Sequence, residues 1–74
     1  MNSVQKRSVS IRGHRTSFSL EKPFLDDLQA IAADRGMALA ALVAEIDADR
    51  PRDANLSSAL RIFVLAQARK TTAR

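Results

Sequence analysis

Two arginines, Arg12 and Arg15, flank Gly13-His14 inside a stretch that alternates serine with apolar residues. Ser8-Val9-Ser10-Ile11 leads in and Ser17-Phe18-Ser19-Leu20 leads out. Lys6 and Arg7 stand just before it. Guanidinium and ammonium groups pair with phosphate, and each phosphate they neutralise adds to salt-dependent binding of nucleic acid. Polyanion binding is therefore the chemistry this segment supports, with Lys6, Arg7, Arg12 and Arg15 as its charges. Catalysis is poorly served. Asp26 with Asp27, and Asp47 with Asp49, diverge on a helix and have no basic partner chemistry. Ser57 and Ser58 have no histidine spaced to activate them. His14, the one histidine, falls in a turn. The chain is read as a binding protein, not an enzyme.

Charge is divided along the 74 residues. Positions 1–20 hold four basic residues and no acid, a net of +4; positions 21–53 carry −4 and positions 54–74 carry +4. A basic face of this kind is the electrostatic footprint of a polyanion binder. The absence of cysteine excludes a disulfide framework and thiolate metal sites, and a single histidine excludes a histidine-rich one. No cofactor or metal is expected. No apolar run reaches the roughly 18–20 residues of a membrane span. The first twelve residues lack the apolar core of a secretory signal, which points to the cytoplasm.

The elements that must hold the basic residues follow from periodicity. Positions 8–20 alternate with period two, the mark of a half-buried strand. A two-residue type II′ turn at Gly13-His14 sets Ile11 opposite Thr16 and Val9 opposite Phe18. Val9, Ile11, Thr16, Phe18 and Leu20 then share an apolar face. Ser8, Ser10, Arg12, Arg15, Ser17 and Ser19 share the other. A first helix is predicted over about Lys22–Arg35, opened by Pro23, with Glu21, Asp26 and Asp27 near its positive end and Gly36 as its stop. A second spans about Leu39–Asp49 without a side-chain cap, and ends before Pro51. A third runs over about Leu56–Lys70, capped by Asn55. Its middle is apolar almost all round, which a monomer of this size cannot cover. Residues 1–7 are expected to form a flexible basic arm, 8–70 the folded domain and 71–74 a frayed tail.

This order of strand, Pro-initiated helix, glycine hinge and helix resembles the Arc/MetJ-like ribbon-helix-helix family. The resemblance is carried by Thr16-Ser17-Phe18-Ser19-Leu20, Pro23-Phe24-Leu25-Asp26-Asp27-Leu28 and Arg35-Gly36-Met37-Ala38-Leu39. The lead from Lys6 to Leu20 and the helix Asn55-Leu56-Ser57-Ser58-Ala59-Leu60-Arg61 look like a small bacterial subfamily with an added N-terminal strand and a third helix. The resemblance implies a mainly α fold with a short antiparallel β ribbon, an intertwined dimer plus a C-terminal helix. It implies a transcriptional regulator whose ribbon enters the major groove of double-stranded DNA. Base-reading positions would fall on Ser17, Ser19 and Glu21, with Arg15 one step earlier. A phosphate contact would fall on the amides of Ala38, Leu39 and Ala40. The alternative is the same fold reused as an oligomeric interaction scaffold, with the third helix joining dimers.

Overall fold

A hairpin opens the chain because Arg12 and Gly13 both adopt positive φ, 53° and 81°. Two such residues make a type I′ turn, whose twist matches that of the flanking strands. The computed structural model describes residues 4–72. Strand β1 (Val4–Ile11) pairs antiparallel with β2 (His14–Glu21), and helices α1 (Lys22–Asp34), α2 (Leu39–Asp49) and α3 (Leu56–Thr72) follow.

The turn lies one residue earlier than the glycine rule for type II′ suggests. Ile11 pairs with His14, Val9 with Thr16 and Arg7 with Phe18. The physical reason is that Gly13 serves as the second central residue, with Arg12 taking the left-handed conformation before it. Each residue's partner moves by two positions, so every side chain keeps its face. Arg12 itself leaves the face for the tip. The expected arm is also corrected: from Val4 onward its residues belong to β1, because pairing continues to Val4–Glu21. Residues 1–3 lie outside the described residues. Helix α3 continues through Thr72, beyond the expected fraying point at Thr71, and residues 73–74 lie outside the description.

The hairpin buries one side on the helices. Ile11, Phe18 and Leu20 join Leu25, Leu28 and Ala32 of α1, Leu42, Val43 and Ile46 of α2, and Leu56, Leu60 and Val64 of α3 in one apolar cluster. No buried side-chain polar atom among the described residues lacks a partner. No helix is long and apolar enough to cross a membrane among the described residues.

Helix ends follow local chemistry. Asn55 accepts the Ser58 N–H at 2.7 Å through Oδ1, the expected cap of α3. Arg50 is extended before Pro51, and its guanidinium bonds Asp47 and the Ala54 carbonyl, closing the loop between α2 and α3. The acidic residues expected to favour the start of α1 are placed otherwise. Its first turn holds no acid; Glu21 makes no capping bond, and Asp26 pairs with Lys22 at 2.9 Å. Helix α1 closes with a Schellman pattern, Met37 N–H to Ala32 and Gly36 N–H to Ala33.

Gly36 holds φ at 69°, yet a Cβ there would meet nothing within 4 Å. Gly36→Ala should therefore lose only the left-handed backbone preference, about 1–2 kcal/mol, readable by urea denaturation. Ala38, the N-cap of α2, makes no side-chain bond and is exposed. Ala38→Ser should stabilise by about 1 kcal/mol in the same assay.

Candidate nucleic-acid interface

The alternation that buries Phe18 and Leu20 turns their neighbours outward. Lys6 lies across from Ser19, Ser8 from Ser17 and Ser10 from Arg15, and all six are exposed. Cations stand at the two ends of this set with four hydroxyls between or beside them, and the pair beyond it, Val4 and Glu21, ends the face. Four residues separate Arg15 from Ser19, the partner of Lys6, so the charges are about 13 Å apart along the strand direction. Arg12 adds a third cation at the hairpin tip.

Two expected contacts lie off this face, the second of them at the start of α2, where the sequence places it. Arg7 is exposed, but it pairs with buried Phe18, so its side chain leaves the strand on the core side. Ala38, Leu39 and Ala40 open α2, a separate element. The carbonyl of Ala38 accepts from Ala41 and Leu42, and no side chain caps the first turn. Its leading amides retain the partial positive charge of a helix start.

Ser8 and Ser10 extend the set beyond the residues singled out from sequence, and the signal was available in their alternation. Two contacts between α3 and β2 had no such signal. Ser57 Oγ accepts the Ser19 N–H at 3.2 Å, which anchors α3 to the outer edge of β2. Arg61 Nη1 approaches Glu21 Oε1 at 3.3 Å, with both side chains about one-third exposed. That pairing matters for charge. Glu21 is the only carboxylate in the hairpin, and the cation beside it offsets its repulsion of a polyanion.

A family model described as a ribbon-helix-helix domain matches residues 4–68. The chain belongs to the ribbon-helix-helix family. No curated protein and no solved structure matches it significantly. The matched span begins at Val4 and runs to Ala68, so β1 and most of α3 lie within the ribbon-helix-helix domain. Members of this family typically dimerise, commonly bind DNA and regulate transcription; their fold is regulatory, not catalytic.

Proposed function

We propose that this ribbon-helix-helix protein binds double-stranded DNA through the outer face of the β1–β2 hairpin, as a dimer that regulates transcription. One observation carries the reading: Lys6, Arg15 and four serines share an exposed face opposite the one that buries Ile11, Phe18 and Leu20 in the core. A single hairpin, its two strands about 4.8 Å apart, is narrow enough for a major groove about 12 Å wide. Two hairpins paired edge to edge would span about 14 Å between outer backbones, so each copy presents its own hairpin to the DNA. Lys6, Arg12 and Arg15 pair with phosphates. Ser17 and Ser19 reach base edges, and Arg15, with its forked donors, is the stronger base reader. The amides of Ala38, Leu39 and Ala40 offer a further phosphate contact. Arg7 adds long-range charge rather than groove contact.

Salt dependence tests this reading. With three cations per hairpin and two copies engaged, log affinity should fall with log salt at a slope of about −5. An anisotropy titration of a mixed-sequence duplex from about 50 to 200 mM salt should then lose about three decades. No binding at the lowest salt would overturn the proposal. It would favour the fold as an oligomeric scaffold, a reading to which exposed Ile62 and Leu65 lend support.

A further inference from the structure

Helix α3 buries Leu56, Leu60 and Val64 but leaves Ile62 at 66% and Leu65 at 52% exposed. Ser58, Ile62, Leu65 and Arg69 recur at steps of four, three and four. That is the heptad spacing of a helix seam, with its apolar pair at the centre. Ala66 beside Leu65 is small and exposed, so another backbone can approach.

Charge decides what covers this seam. Ala59, Phe63, Ala66 and Lys70 line one flank of α3, again at steps of four, three and four. Ala59 and Phe63 of that flank border a groove of about 490 Å³ shared with the end of α2, where Glu45 and Asp49 stand with Arg35 and Arg50. Arg50 is paired with Asp47 and Arg35 lies over the Phe63 ring at 5.3 Å, which leaves the acids in excess. Neither acid makes an ion pair among the described residues, and Lys70 makes none either. Lys70 lies about 10 Å along the axis from the midpoint of Ile62 and Leu65. A second α3 packed antiparallel about that midpoint carries its own Lys70 to the level of residue 57. A two-fold axis of this kind keeps each flank on its own side. Each Lys70 then meets the acidic end of the partner's α2, and the contact is made twice.

We infer that a second copy of this chain docks on α3, helix antiparallel to helix, with Ile62 and Leu65 at the centre and Lys70 facing Asp49 across both ends. This surface is separate from the hairpin face and does not depend on DNA binding.

The test is the mass of the full chain by sedimentation, without DNA. Leu65→Glu should halve the assembly mass while the circular dichroism spectrum stays native. Lys70→Glu should weaken association about tenfold, since two equivalent pairs are reversed at once. Adding Asp49→Lys to the same chain should restore it. A native-spectrum Leu65→Glu protein at wild-type mass would overturn the inference. So would failure of Asp49→Lys to rescue Lys70→Glu, which decides the matter even if Leu65→Glu does not fold. A wild-type chain that stays monomeric at every concentration would also overturn it. Failure of the DNA-binding reading would leave all three results unchanged.

Discussion

Phe18→Ala should cost about 3–5 kcal/mol of folding stability, the usual result of emptying a buried aromatic site. Phe18 is 4% exposed and packs in the cluster that joins the hairpin to all three helices. A chain of 74 residues has roughly 4–11 kcal/mol of stability in total. The variant is thus expected to be largely or wholly unfolded in mild urea. Ser17→Ala, one residue away on the exposed face, should stay within about 0.5 kcal/mol of the parent. The contrast between adjacent positions reports the alternation directly. A Phe18→Ala protein with an unchanged urea midpoint would mean that this side of the ribbon is not the core.

The second large effect concerns binding. Lys6→Ser with Arg15→Ser removes both cations from the outer face while leaving its hydroxyl character and strand propensity in place. With Arg12 alone remaining on each hairpin, the slope of log affinity against log salt should shrink from about −5 to about −2. Affinity at about 50 mM salt should fall at least tenfold. Arg7→Ser serves as the internal control: it removes the same charge from the core side of β1, so it should change the slope by less than one unit. Equal losses from Arg7→Ser and Arg15→Ser would point to diffuse attraction rather than to a docked face.

Much of this arrangement was legible in the residues. Period-two alternation settles which side of the hairpin is apolar, and it survives an error in the turn because a register shift of two preserves the faces. Pro23, Gly36 and Pro51 mark helix boundaries through backbone restrictions that hold in any surroundings, and Asn55 marks one through a local side-chain cap. The turn itself was ambiguous. Gly13 fits either central position of a two-residue loop, and only the paired structure selects the one that requires positive φ at Arg12. The extent of β1 was hidden for a related reason: Lys6 and Arg7 break the alternation, and continued pairing with Phe18 and Ser19 overrides that local pattern. Glu21 shows the limit most clearly. Its proximity to the first helix suggests a favourable dipole contact, yet Arg61, forty residues on, takes its carboxylate. Contacts between distant segments leave no periodic trace.

The role of the outer face is tested most directly by nuclear magnetic resonance of the labelled chain during titration with duplex DNA. The amide shifts should concentrate on Lys6, Ser8 and Ser10 of β1, on Arg12 at the tip, and on Arg15, Ser17 and Ser19 of β2, with a smaller set at Ala38–Ala40. Ile62 and Leu65 should stay still. Shifts centred on α3, with the hairpin unmoved, would contradict the account.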